Sequence, residues 1–163
     1  MLASMAEGNL IIEHPNRDRP ESHATRALVV GLLLVSTLVF AIATVGGWAK
    51  IQGAKPVHVA YVVIYLVLAF YIARWRSGLL PVAASFAIIL LIFCAISGPQ
   101  WFERNQDGFT DPLLASSIVG VLTLVLVPLQ VLLIAAAARG FSQKWSVEVE
   151  RRSGSPGYVA QTR

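Results

Sequence analysis

The sequence predicts an all-α integral membrane protein, built as a four-helix bundle of spanning helices. Hydrophobic residues make up 56% of its 163 residues, and charged residues make up only 13%. Soluble domains carry about 25% charged residues. Only eight of the charged residues lie within residues 27–138. One small soluble core cannot bury so much uncharged apolar sequence, so we expect a membrane to cover it.

Four uncharged stretches are each long enough to cross a bilayer, which takes roughly 20 apolar residues. The predicted spans are residues 27–49, 56–73, 78–98 and 113–138. The second stretch is the shortest of the four. The fourth is long enough to tilt or to bend at Pro128.

The residues outside the spans form two polar tails, 1–26 and 139–163, which we expect to be flexible. The first tail does not have the pattern of a cleaved signal, so the first helix is expected to remain as an anchor. An even number of spans places both tails on one side of the membrane. That side carries ten of the 13 Lys and Arg residues, and this bias predicts cytoplasmic N- and C-termini.

The predicted connections differ in length. The first two, residues 50–55 and 74–77, are short, which predicts that the helices they join are antiparallel neighbours. The third, residues 99–112, is longer than closure of the chain requires.

Small residues spaced four apart recur in the spans and permit close helix packing. The pairs are Ala43 with Gly47, Ala83 with Ala87, and Ser116 with Gly120. Their spacing leaves open whether the partner helix belongs to this chain or to another.

Several kinds of chemistry lack the residues they need. No Asp, Glu, Lys or Arg lies inside a predicted span, which disfavours ion-coupled carriers. Cys94 is the single cysteine, so the chain alone cannot run a thiol–disulfide relay. Only His58 lies near a span, because His14 and His23 lie in the first tail, and this excludes a bis-histidine haem. We therefore expect no enzymatic activity and no cofactor.

Polar side chains inside the spans form two candidate sites. His58, Tyr61 and Tyr65 share one face of the second helix, a pattern compatible with an outward-opening site for a quinone headgroup or a small polar ligand. Gln130 follows Pro128 near the middle of the fourth helix, where a bent helix with an amide beside it can bind a polar group. The simpler interpretation of all four polar residues is hydrogen bonding between neighbouring helices.

The long outer loop contains a fragment of a calcium-binding pattern. Glu103, Asn105, Asp107 and Asp111 match ligand positions of an EF-hand loop. Leu114 stands where that loop needs a bidentate glutamate, so the fragment favours a plain turn followed by a helix cap.

The same loop combines aromatic and acidic side chains. Trp101, Phe102 and Phe109 lie beside Asp107 and Asp111, and aromatic anchors ringed by charge are typical of protein contacts. We expect this loop, with the outer ends of the second and fourth helices, to be a recognition surface for a partner. Alternatively, the rings mark the membrane interface and the acids neutralise nearby lysines of the same chain.

The predicted function is that of a non-catalytic accessory or assembly subunit of a larger membrane complex. Its partners are then the lipid bilayer and other membrane-protein chains, with no nucleic acid. The alternatives are a homo-oligomeric small channel or transporter, and a membrane enzyme or quinone-site protein. Arg outnumbers Lys ten to three, which is typical of a GC-rich bacterial gene and favours a bacterial plasma membrane.

Overall fold

The computed structural model describes residues 10–13, 15–51, 53–103 and 113–152. These residues form four long helices and a short two-stranded ribbon. The helices are α1 (Pro20–Gly46), α2 (Lys55–Ala73), α3 (Leu80–Phe102) and α4 (Ser116–Ser142), with a 3-10 turn at Ser77–Leu79. The ribbon pairs strand β1 (Leu10–Glu13) with strand β2 (Val149–Arg152) in antiparallel register.

All four helices are long and apolar enough to cross a membrane, by length and composition. Their outward faces carry large apolar side chains, among them Leu38, Ile96 and Leu132. In a bilayer such side chains contact lipid tails at no cost. The structure thus confirms the prediction of a helical multi-pass membrane protein, as far as helix number, length and composition are concerned.

Three helix ends lie clearly outside the predicted spans. Helix α3 continues to Phe102 and not to residue 98, and α4 continues to Ser142 and not to residue 138. Helix α1 begins at Pro20 and not at residue 27. Proline in the first helical turn and the acidic Glu21 beside it both favour a helix start at that point. The apolar stretches mark the part of each helix that lies in a membrane, and the helices themselves extend beyond it.

Short segments of the two predicted tails pair with each other in the described part of the chain. Strands β1 and β2 pair across the two ends of the chain, so that Ile12 lies opposite Glu150. Two further bonds join the segments next to the strands: Asn16 Nδ2 donates to the Lys144 carbonyl at 3.1 Å, and Arg17 Nε donates to the Trp145 carbonyl at 3.1 Å. Polar composition alone does not reveal a pairing between segments so distant in sequence.

The helices do not all pack against their neighbours in sequence. Helix α1 packs against α2 and α4, and α4 also packs against α3, whereas α2 and α3 approach each other little. The short connection predicts that α2 and α3 are neighbours, but these two helices approach each other less closely than the other pairs do. Side-chain size explains the difference, because the rings of Tyr61 and Phe86 stand between these two helices with centroids 5.8 Å apart.

Small residues allow the closer approach of α3 to α4. Ala83 and Ala87 are fully buried, and a Cβ atom at Gly98 would lie 2.6 Å from the side chain of Leu124. Ala43, Ser116 and Gly120 are buried as well. The pairs of small residues seen in the sequence thus pack inside this chain.

Candidate functional site

A cavity of about 650 Å³ lies at the end of the bundle where α1 finishes and α2 begins. All four helices contribute to its wall. Its most informative lining residues are Phe40 and Thr44 of α1, His58 and Tyr61 of α2, Cys94 and Trp101 of α3, and Thr123 of α4. We call this end of the molecule the cavity end. The opposite end, which carries β1 and β2, is the termini end.

From the exposure of its lining residues, we infer that the cavity opens between α2 and α3. Val57 of α2 and Phe93 of α3 both line it, yet their side chains are 53% and 57% exposed. They therefore flank an opening in the helix pair that approaches least closely. In a membrane, that opening faces the lipid.

Thr44 is the most unusual side chain in the cavity wall. The residue is only 5% exposed, and its Oγ1 atom has no hydrogen-bond partner among the described residues. Its counterparts are bonded, since Thr37 Oγ1 donates to the Leu33 carbonyl at 2.7 Å and Thr123 Oγ1 to the Val119 carbonyl at 2.8 Å. The oxygen atom itself is inaccessible, so it lies behind the cavity wall and is a buried unpaired group that costs the fold free energy.

Aromatic rings form one side of the cavity. The ring of Phe40 lies parallel to that of His58, with centroids 5.1 Å apart, and it meets Tyr61 edge-on at 6.1 Å. His58 Nδ1 lies 2.9 Å from the Ala54 carbonyl. A carbonyl oxygen only accepts, so Nδ1 is the donor in this pair and the neutral ring keeps an unprotonated Nε2.

A polar layer lies next to the cavity inside the bundle. The hydroxyl of Tyr65 donates to Gln130 Oε1 at 2.7 Å, and Gln130 Nε2 donates to Ser36 Oγ at 3.1 Å. All three side chains are buried, and together they join α2, α4 and α1. We call this set the polar tie. Its groups satisfy one another, which is how membrane helices commonly hold together.

The structure therefore divides the four polar residues predicted as candidate sites. His58 and Tyr61 lie in the cavity wall, whereas Tyr65 and Gln130 belong to the polar tie. Sequence reasoning treated Gln130 as separate from the tyrosines, because no local pattern links residues so far apart in the chain.

One cation borders the cavity. Among the described residues that line the cavity, Lys50 is the one charged residue. Its ammonium donates to Ser116 Oγ at 2.9 Å. The lining thus combines one positive charge with the polar ring of His58 and the hydroxyl of Tyr61.

The predicted partner-contact residues are only partly described. Trp101 is 6% exposed, and its ring lies 2.6 Å from where a Cβ atom of Gly47 would stand. It packs inside the bundle, so it does not present the exposed anchor that the sequence predicted. Phe102 is half-exposed. Asp107, Phe109 and Asp111 lie outside the described residues.

The predicted calcium ligands are also only partly described. Glu103 is exposed at the end of α3, and Asn105, Asp107 and Asp111 lie outside the described residues. Within the part of the chain that the structure describes, no group of three or more His, Cys, Asp or Glu side chains is placed to hold a metal ion.

Sequence reasoning missed the α1 side of the cavity. Ser36, Phe40 and Thr44 are spaced four apart, which places them on one face of a helix. That stripe was the available signal. It does not say which hydroxyl lacks a partner, since only the packing of the other helices decides that.

Large side chains pack together at the termini end. Trp145 is fully buried, and its ring meets that of Trp75 edge-on at 5.5 Å. Gln143 joins two elements there, because it accepts from Trp145 Nε1 at 2.9 Å and donates to Thr25 Oγ1 at 3.0 Å. The guanidinium of Arg26 lies 4.2 Å from the Trp75 ring centre.

No protein-family model matches the chain, and neither the curated proteins nor the solved structures contain a match to it. The geometry of the cavity end is therefore the main guide to function.

Proposed function

We propose that the chain is a non-catalytic subunit of a membrane complex and that its cavity holds an amphipathic molecule taken from the bilayer. The observation that carries this proposal is the cavity of about 650 Å³, which all four helices line mainly with apolar and aromatic side chains. Its volume lies within the range of about 300–1,000 Å³ typical of small-molecule sites. Mostly apolar walls with a few polar groups suit a ligand of the same character.

A binding role without chemistry is supported by how the polar groups are used. Tyr65, Gln130 and Ser36 bond to one another. Thr123 bonds to a backbone carbonyl of its own helix, and His58 bonds to that of Ala54, the residue just before α2. These bonds fix helices and side chains in place, as a rigid binding site requires.

We further propose an antiparallel bundle with both termini in the cytoplasm of a bacterial cell. The pairing of β1 with β2 supports a common side for the two termini. The excess of Lys and Arg on that side of the sequence supports its cytoplasmic placement.

Single cysteines test this topology in a Cys94→Ala background. Asn105→Cys should react with a membrane-impermeant maleimide added outside intact cells. Ser155→Cys should react only after the cytoplasmic side is opened. Labelling of Ser155→Cys from outside, or of Asn105→Cys only from inside, would contradict the proposed orientation.

Native mass spectrometry tests the binding function. The full chain, released from its membrane in mild detergent, should carry the added mass of a small amphipathic molecule. Ser97→Leu enlarges a side chain that lines the cavity and should abolish this added mass. Ser85→Leu makes the same change at an exposed site on the same helix and should retain it. A wild type without bound ligand, or equal binding by Ser97→Leu, would overturn the proposal.

The same spectra test membership of a complex. Bound chains of a different mass support an accessory subunit. A closed assembly of identical chains supports the alternative of a small channel or transporter and contradicts the accessory role.

A further inference from the structure

We propose that three arginines at the termini end bind the phosphate of an anionic phospholipid. They are Arg26 of α1 together with Arg74 and Arg76, which follow the end of α2. We call this set the arginine patch. It lies at the opposite end of the bundle from the cavity, so it neither uses nor requires the ligand proposed there. The proposal follows from where the arginines lie, how their side chains are held and what charges surround them.

The arginine patch lies where an apolar helix ends. Helix α2 ends at Ala73, and the exposed ring of Phe70 lies one turn before that end. Arg26 reaches the same place from α1, because its Nη1 donates to the Ala73 carbonyl at 2.9 Å. The end of a spanning helix lies at the depth of the lipid headgroups. The arginines are therefore placed at the depth of the phosphates of a bilayer.

Aromatic rings hold two of the guanidinium groups in place. The Arg26 guanidinium lies 4.2 Å from the ring centre of Trp75, and the Arg74 guanidinium lies 4.2 Å from that of Phe70. A guanidinium that stacks on a ring keeps the N–H groups of its edge for other acceptors. Side chains that are already ordered lose less entropy when they bind a phosphate than mobile side chains do.

Trp75 fixes the connection that carries Arg74 and Arg76. Its φ is 65°, in the left-handed region that residues other than glycine seldom adopt. Contacts of its ring hold it there, since the ring meets that of His23 edge-on at 4.9 Å and that of Trp145 edge-on at 5.5 Å. The connection is thus packed against the bundle, which keeps the backbone of both arginines beside α1.

The charge of the patch is not neutralised by the chain itself. Among the residues that the structure describes, no carboxylate forms an ion pair with any of the three arginines. Arg74 and Arg76 are exposed, and Arg26 is half-buried. Guanidinium groups form strong charge-assisted hydrogen bonds with phosphate oxygens. The ammonium of a zwitterionic headgroup is repelled by the arginines, so the patch favours a lipid of net negative charge.

A lipid titration of the full chain tests the proposal. The chain is stripped of native lipid in mild detergent and titrated separately with phosphatidylglycerol and phosphatidylcholine of the same acyl chains. Native mass spectrometry counts the lipids bound at each concentration. Phosphatidylglycerol should bind at least about fivefold more tightly, which is the effect of roughly one arginine near an anionic lipid. Equal affinities for the two lipids would overturn the proposal.

Matched charge variants locate the binding. Arg74→Gln should weaken the affinity for phosphatidylglycerol about fivefold and leave that for phosphatidylcholine unchanged. Its side chain is exposed, so the variant is expected to fold. Arg139→Gln removes the same charge at an exposed site in the last turn of α4 and should change the affinity less than about twofold. Equal losses in the two variants would show attraction by net charge alone and would overturn the arginine patch.

A second variant tests the half-buried arginine. Arg26→Gln, combined with Arg74→Gln, should weaken the affinity for phosphatidylglycerol at least about tenfold and remove the preference over phosphatidylcholine. A double variant that keeps the wild-type preference would contradict the assignment.

A soluble competitor separates a membrane lipid from a free phosphate. Glycerol 3-phosphate carries the phosphate without acyl chains, which in the lipid pack along apolar side chains such as Phe70. A large excess should leave phosphatidylglycerol bound. Displacement by glycerol 3-phosphate at the concentration of the lipid itself would overturn the assignment to a membrane lipid.

Discussion

Each end of the bundle contains a buried tryptophan, but the two ends differ in how tightly the surrounding side chains pack. At the termini end, Trp145 is fully buried and its indole N–H is paired with Gln143. At the cavity end, Trp101 is also buried, yet it borders a cavity of about 650 Å³, and the nearby Thr44 hydroxyl is buried without a partner among the described residues. Protein interiors are normally close-packed and their polar groups paired. The comparison indicates that the termini end stabilises the fold, and it supports the proposal that the cavity end binds a ligand.

Trp145→Ala should have the largest effect on stability. The substitution removes a fully buried ring and should lower the free energy of unfolding by about 3–5 kcal/mol. Unfolding by sodium dodecyl sulfate in mixed micelles measures the change. Trp48→Ala, at a residue that is 40% exposed, serves as the control and should cost far less. Equal losses would mean that the termini end does not stabilise the fold in the way its packing indicates.

Gln130→Leu should have an intermediate effect. It breaks both hydrogen bonds of the polar tie and leaves the hydroxyls of Tyr65 and Ser36 without their partner. The expected loss in the same unfolding assay is about 1–2 kcal/mol. Ser85→Ala removes an exposed hydroxyl that bonds within one helix and should cause little change. A neutral Gln130→Leu would show that the polar tie does not hold the helices together.

Thr44→Val should have the smallest effect on stability and the opposite sign. It replaces an unpaired buried hydroxyl with a methyl group of similar size, so the free energy of unfolding without ligand should stay constant or rise. Thr37→Val loses a hydrogen bond and should cost about 0.5–1 kcal/mol. If Thr44→Val destabilises the chain more than Thr37→Val does, its hydroxyl is a structural group and not a free donor.

Hydropathy was sufficient to predict the four helices, because each requires a long apolar stretch. It was not sufficient for their ends, since Pro20–Arg26 is polar but helical. It was also not sufficient for the ribbon, which pairs residues at opposite ends of the chain. The packing order α2–α1–α4–α3 depends on side-chain size at particular contacts, such as Gly98 against Leu124.

The candidate site was predictable only in part. Helical periodicity identified the polar face with His58 and Tyr61, which do line the cavity. Thr44 was missed because most helical threonines bond to their own backbone, as Thr37 and Thr123 do. Whether a given threonine is left unpaired depends on its surroundings in three dimensions. Tyr65 was assigned to the same site, but it bonds to Gln130 of another helix.

Photolabelling with a diazirine analogue of decanol in nanodiscs, followed by peptide mass spectrometry, tests the central claim most directly. We expect attachment to concentrate on the cavity-end segments of α1, α2 and α3, around Thr44, Tyr61 and Cys94, and excess decanol to suppress it. Attachment spread evenly over lipid-facing side chains such as Leu132, or concentrated near Trp145 at the termini end, with no suppression, would contradict it.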